Sequence, residues 1–173
     1  MYIIDMKLIL TRHGETDWNV DGRLMGQTDI PLNDNGRKQA QILKDKLSDI
    51  NFDCCYSSPL KRAKETAEII CNSKCPIFYD NNLKERYGGE MEGKPIGNLG
   101  DYENCPSAET DAELLQRAKS FLTSIKNANY QSVLIVSHSG LLKNLRHCIL
   151  ELPGDVDYGN WHLQNSDFEI YNI

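Results

Sequence analysis

The chain has 173 residues, 40% of them hydrophobic and 25% charged, which suits one soluble domain with a real core and is short for two. A formal net charge of −6 argues against a general nucleic-acid or anionic-membrane surface, although it leaves room for a local basic pocket. No apolar run approaches the length that crosses a bilayer, and the start Met1-Tyr2-Ile3-Ile4-Asp5-Met6-Lys7 lacks the basic flank and long apolar core of an export signal, so the expected location is cytoplasmic.

Taken in order, the first element is the apolar run at 7–11, which predicts a strand covered on both faces and delivers the chain into Arg12-His13-Gly14-Glu15-Thr16. Asn33 is placed to cap a helix from about Asp34, where Ala40, Leu43, Leu47 and Ile50 recur at helical spacing. Residues 53–57 are a weaker strand candidate. Pro59, suited to a first helical turn, then introduces a helix marked by Leu60, Ala63, Ala67 and Ile70. After a second weak strand at 76–79, residues 86–109 are Gly-rich, acidic and nearly without periodicity. A loop this long in a compact domain is usually functional, such as a lid or rim. Leu114, Leu115, Ala118, Phe121, Leu122 and Ile125 mark a third helix, and 133–136 a second fully apolar strand. Leu141, Leu142, Leu145, Cys148 and Ile149 mark a fourth helix, stopped before Pro153-Gly154. This alternation predicts a single α/β domain over 1–173, a three-layer arrangement with a mainly parallel sheet and helices on both faces.

The six cysteines do not read as a disulfide framework. Cys54 and Cys55 are adjacent in a strand candidate, and Cys71 and Cys148 fall on apolar helix positions, as small buried hydrophobes do in a reducing compartment. Cys71 and Cys75 have a weak metal-ligand spacing with no matching pair in register elsewhere.

One local arrangement occurs twice. The first strand ends in Thr11-Arg12-His13-Gly14, and the strand at 133–136 ends in Ser137-His138-Ser139-Gly140. Ligands of open α/β sheets bind at the carboxyl ends of strands, and glycine beside the histidine permits close backbone approach and unusual dihedrals. A lone histidine there is more often structural; two at equivalent strand ends, one beside an arginine, favour a reaction centre. Ser57-Ser58-Pro59-Leu60-Lys61-Arg62-Ala63 is another strand-to-helix junction, where free N–H groups attract anions. Arg62 reads either as a solvated helix position or as a group turned into the crevice, where with Arg12 it would clamp a phosphoryl group. Two histidines and two arginines without a carboxylate cage point to anion chemistry with no metal.

At this point the ordered segments TRHGETDWN, GQTDIPLNDNGRKQA, SSPLKRAKETA, LKERYGGEMEG and VSHSG together resemble the motifs of the histidine phosphatase superfamily, also called phosphoglycerate mutase-like. The resemblance runs from about residue 7 to 166. It implies the phosphoglycerate mutase-like fold, no cofactor, and a small phosphomonoester as partner. It also implies that His13 attacks phosphorus and carries a phosphohistidine, with Arg12, Arg62 and His138 around the phosphoryl oxygens. Glu85 would be general acid and then base, and Asn19 would line the phosphate pocket with Gly14 and Ser139. The other ring nitrogen of His13 should donate to a carbonyl to fix its tautomer. Glu109, in a segment resembling the family's Gly-Glu-Ser, is expected at the lid. Two departures stand out: Ser139 where the family has Gly, expected as a helix N-cap, and Gly88 where it tends to have an aromatic residue, which loosens the loop carrying Glu85.

A mutase must keep water from the phosphohistidine, and the family's mutases carry a longer insertion between acid and second histidine. The short Glu85–His138 interval therefore favours hydrolysis. Arg86 and Lys94 are the cations of the 86–109 segment and suit a second phosphate poorly. A monoester with an apolar or aromatic body fits better, with Trp18, Tyr87, Tyr102 or Trp161 as contacts. His162 is a candidate to reach the rim, whereas His147 reads as a mid-helix residue. Family members of this size include alpha-ribazole phosphatases and sugar-phosphate phosphatases, so alpha-ribazole phosphate or a sugar phosphate is the expected substrate type. A phosphoglycerate mutase and a non-catalytic domain binding phosphorylated ligands are the alternatives.

Overall fold

The computed structural model describes residues 6–96, 105–156 and 161–173. Strand β1 (Lys7–Arg12) lies beside β4 (Ser132–Ser137) in parallel, with Leu8 opposite Val133 and Arg12 opposite Ser137. This register matters for the site, because the residues that follow, His13 and His138, leave the sheet side by side. Strand β2 (Cys54–Ser57) pairs in parallel with β4 on one side and with β3 (Ile77–Tyr79) on the other. Strand β5 (Phe168–Asn172) runs antiparallel along β1. The sheet has five strands in the order β3-β2-β4-β1-β5.

The central strands carry unbroken apolar runs, Leu8–Leu10 in β1 and Val133–Val136 in β4, because both faces are covered there. Leu8, Leu10, Val133 and Ile135 pack with Leu114, Phe121, Leu141 and Leu145. These come from α4 (Asp111–Lys126) and α5 (Ser139–Ile149). The intervening Ile9, Leu134 and Val136 face the opposite layer, with Leu43, Ala63, Ala67 and Ile70. These come from α2 (Asp34–Lys46) and α3 (Lys61–Cys71). The α/β, helices-on-both-faces expectation therefore holds, and truncating a core residue such as Phe121 to Ala should cost about 3–5 kcal/mol.

The helix starts carry some corrections. Asn33 caps α2 as expected, its side chain accepting from the Gly36 N–H. Pro59, however, precedes the cap of α3 instead of entering its first turn. Leu60 occupies the cap position without a side-chain bond, and the Lys61 N–H donates instead to Asp29 at 2.7 Å. Ser139 is not the N-cap of α5: His138, extended at φ −130° and ψ 162°, takes that position and Ser139 is the first helical residue. A short helix α1 (Asp17–Val20), which periodicity did not suggest, is held by a capping box between Thr16 and Asn19. In the 86–109 segment, Gly89–Met91 forms a single 3-10 turn; Tyr102 lies outside the described residues. Cys54, Cys55 and Cys71 are buried, and all six cysteines are free thiols. Among the described residues, no helix is long and apolar enough to cross a membrane.

Candidate active site

The register of β1 on β4 sets the two histidines against each other. The His13 N–H donates to the Ser137 carbonyl at 3.0 Å, and the imidazole rings of His13 and His138 lie 5.0 Å apart between centroids. Both side chains are buried. Nδ1 of His13 lies 2.7 Å from the Gly14 carbonyl, which accepts its proton and leaves Nε2 with the lone pair. Burial first, then the charges of Arg62 and Arg12, push the His13 pKa well below the usual histidine range. The ring is neutral at pH 7, as a nucleophile must be.

Gly14 contributes by its lack of a side chain, and not by an unusual backbone: its φ is outside the left-handed region. A Cβ there would stand 2.5 Å from the Gly36 carbonyl oxygen, so glycine lets the start of α2 close on the turn after β1. Its N–H donates to Thr66 at 3.0 Å. Gly14 thus shapes the turn that holds His13 and is not on the cavity wall. Asn165 completes this hold, donating to the His13 carbonyl at 3.0 Å.

His138 is fully buried, with Nε2 2.8 Å from the Ser58 hydroxyl. Its Nδ1 is buried without a hydrogen-bond partner among the described residues. Burial and then Arg62 and His13 lower its pKa well below the usual range, so a second neutral imidazole stands behind the first.

Positive charge comes from the arginines. Arg62 is completely buried and points inward, which settles the two readings of this residue in favour of the crevice. Its guanidinium donates to the carbonyls of Gly26 at 2.7 Å and Thr28 at 3.0 Å. Burial lowers its pKa to about 10, opposed by Glu85, and it is still a cation at neutral pH. Arg12 donates to the Leu163 carbonyl at 3.0 Å, and burial lowers its pKa as well, again against Glu85. The Nε atoms of both arginines are buried without a partner among the described residues.

Glu85 faces these cations. Its carboxylate accepts from the Arg86 N–H at 2.9 Å and from the Gly140 N–H at 3.2 Å. A Cβ on Gly140 would come within 2.5 Å of the Glu85 Oε1, so this glycine makes room for the carboxylate beside the start of α5.

Arg12, His13, Asn19, Arg62, Glu85, Arg86 and Ser139 line one cavity of about 300 Å³, and Arg23, Leu24, Met25 and Ile96 extend its wall. Asn19 is there as expected, and its side chain also closes the capping box of α1. Arg86 reaches the cavity but is paired with Asp111 at 2.7 Å and donates to the Glu109 carbonyl. Tyr87, Glu109, Lys94 and His162 do not line this cavity. Tyr87 and Glu109 border a neighbouring open cleft of about 800 Å³, and Lys94 is exposed. His162 is turned to solvent beside Gln164, because the next residue, Leu163, is the one buried. Trp161 is bound to Glu169 and stacked under Arg146, away from the cavity. Trp18 sits close by, under Arg23 and against Gly93. Among the described residues, no three His, Cys, Asp or Glu side chains gather as a metal-binding group.

Sequence reading missed Arg23, Ser58 and Asn165. Ser58 lies inside a motif that could have flagged it. The other two look like ordinary polar surface positions until the chain is folded.

The comparisons agree with this geometry. The model of the histidine phosphatase superfamily, branch 1, matches residues 8–172. PhoE of Bacillus subtilis, described as an uncharacterized phosphatase, is 40% identical over 141 residues, 79% of this chain and 73% of PhoE. The phosphoglycerate mutase-like protein 4 of Arabidopsis thaliana is 33% identical over 159 residues, 80% of this chain and 69% of that one. The structure of the alpha-ribazole phosphatase from Shigella flexneri superposes with a TM-score of 0.86 at 28% identity, covering 95% of this chain and 89% of that one. With this match over nearly its whole length, the chain belongs to the histidine phosphatase superfamily.

Proposed function

We propose that the protein hydrolyses a small phosphomonoester by way of a phosphohistidine on His13, without a metal. The observation that carries this reading is a buried His13, its Nδ1 fixed on the Gly14 carbonyl, on the wall of a cavity shared with two arginines and a carboxylate. In the first step Nε2 of His13 forms a bond to phosphorus while the bond from phosphorus to the ester oxygen breaks. The electron pair leaves with that oxygen, and Glu85 supplies its proton. Arg12 and Arg62 balance the charge on the equatorial oxygens, the main requirement of phosphoryl transfer. In the second step water attacks phosphorus, Glu85 takes the proton from that water, and the P–N bond breaks to return neutral His13 and phosphate.

The Leu24, Met25 and Ile96 wall and the nearby Trp18 suit a monoester with an apolar or aromatic body. The likeness to an alpha-ribazole phosphatase favours alpha-ribazole phosphate or a sugar phosphate. Arg23 supports a second reading. It lines the cavity with its side chain about half exposed, and its nearest carboxylate, Asp21, is 3.6 Å away. It could therefore meet a second anionic group, as interconversion of phosphoglycerates would need.

A phosphate-release screen over small phosphomonoesters, run beside a 2-/3-phosphoglycerate interconversion assay and repeated after exhaustive chelation, separates these readings. The expected result is phosphate release that exceeds interconversion and survives chelation. Efficient interconversion with little phosphate released would favour the mutase, and a strict need for added magnesium or zinc would sink the metal-independent mechanism.

A further inference from the structure

Glu85 lies just past a 3-10 turn, Asn81–Leu83, where the chain is neither helix nor strand, and from 82 to 87 the backbone is held at almost every residue by side chains from elsewhere. The Leu83 carbonyl accepts from Ser137 at 2.8 Å. One guanidinium, that of Arg117 in the middle of α4, holds the neighbouring carbonyls: Nη1 donates to Asn82 at 2.7 Å and to Lys84 at 3.0 Å, and Nη2 to Glu85 at 3.3 Å. The Glu85 carbonyl also accepts from Gln27 at 3.0 Å.

Arg117 is itself fixed by Glu109. The carboxylate receives Nε at 2.6 Å and Nη2 at 2.8 Å, a two-point pair whose side chains are only 21% and 11% exposed. Glu109 then reaches the far side of Glu85. Its carboxylate accepts from the Tyr87 N–H at 3.1 Å and its own N–H donates to the Tyr87 carbonyl at 2.9 Å, while its carbonyl accepts from Arg86 Nε at 2.7 Å. The pair thus grips residues 82–87 on both sides of Glu85 while lining a cleft next to the reaction cavity.

We propose that Arg117, oriented by Glu109, is a positioning residue for proton transfer by Glu85; this rests on the reading of Glu85 as the acid. An irregular loop does not by itself hold a carboxyl group within the fraction of an ångström that proton transfer requires. A guanidinium can, because its five donors lie in one rigid plane, so a single group binds several carbonyls and a carboxylate together. A lysine ammonium offers three donors on a flexible stem and reproduces only part of this grip. Ion pairing alone would need neither the three backbone carbonyls nor the return contacts from Glu109.

The test separates positioning from simple stabilisation by the leaving group. An alkoxide needs a proton to depart, whereas p-nitrophenolate leaves unaided. Single-turnover formation of phosphohistidine is measured with glycerol 2-phosphate and with p-nitrophenyl phosphate, for Arg117→Ala, Arg117→Lys and Glu109→Gln, each alone and with Glu85→Gln. Arg117→Ala is expected to slow the glycerol 2-phosphate step by about 10- to 100-fold, with Arg117→Lys and Glu109→Gln in between. The p-nitrophenyl phosphate step should stay within about twofold, and the Arg117 changes should add nothing once Glu85 is Gln. If Arg117→Ala does not fold, Arg117→Lys and Glu109→Gln decide by the same pattern. Equal slowing of both substrates, or losses that multiply with Glu85→Gln, would overturn the positioning role. Equal slowing by Glu85→Gln alone would instead remove Glu85 as the acid.

Discussion

The nucleophile and the acid of this site are held in place by different means. His13 leaves the end of a central strand, and its backbone is bound to Ser137, Thr66 and Asn165 through itself and Gly14. The space behind it ends on the backbone of Gly36. Glu85 sits on a segment whose shape depends on side chains, and the space beside it ends on the tip of its own flexible carboxylate. A hard neighbour transmits any intrusion to the fold, while a soft one yields and loses its alignment. The same substitution, glycine to alanine, should therefore have different consequences on the two sides.

Gly14→Ala should do the greater damage. The new methyl would meet a backbone carbonyl that belongs to the start of α2, so either the helix or the His13 turn must move. Overpacking of this kind costs about 1–3 kcal/mol, visible in urea unfolding, and turnover should fall with every substrate because the nucleophile shifts. Unchanged stability and activity would mean that the turn is softer than its contacts imply.

Gly140→Ala should leave the urea midpoint nearly unchanged while displacing the Glu85 carboxylate. Turnover of alkyl phosphates is expected to fall by about tenfold or more, with first-step phosphorylation by p-nitrophenyl phosphate largely spared. A loss of stability as large as that of Gly14→Ala would erase the contrast between the two halves.

The same division explains what was legible beforehand. The nucleophile half follows from local pattern: apolar runs define β1 and β4, their parallel pairing brings Arg12-His13 and His138 together, and the Ser57–Ala63 junction supplies Arg62. Even there, the mechanical roles of Gly14 and Ser139 were misjudged, because a close backbone approach and the position of a helix cap depend on what packs opposite. The acid half was visible only through the family resemblance. Residues 86–109 have no periodicity, and the groups that fix Glu85 are Arg117 on α4 and Glu109 just before it, 24 or more positions away in the chain. A charged residue on a helix face gives no local sign that it binds a distant loop. His162 is no rim contact, since alternation around Leu163 turns it outward, and Trp161 is no substrate contact, since it turns the other way onto the core and donates to Glu169.

A smaller effect should appear in the pH dependence of stability. Burial keeps His13 and His138 neutral in the folded protein. Above about pH 6.5 the folded and unfolded chains both hold these rings neutral, and no difference arises. Below it the unfolded chain takes up protons that the folded chain refuses, so stability falls, by up to about 1.4 kcal/mol per pH unit for each ring. In phosphate-free buffer, urea unfolding between pH 7 and 5 should therefore steepen with acid, and His13→Ala should flatten the curve. An unchanged slope in that variant would place the charged form of His13 in the folded protein.

The covalent step on His13 is open to direct observation. Enzyme mixed with excess p-nitrophenyl phosphate, quenched in alkali and mapped by peptide mass spectrometry should carry one phosphoryl group on His13, and His13→Ala should carry none and turn nothing over. Phosphate found on another residue, or turnover that persists in His13→Ala, would contradict the mechanism.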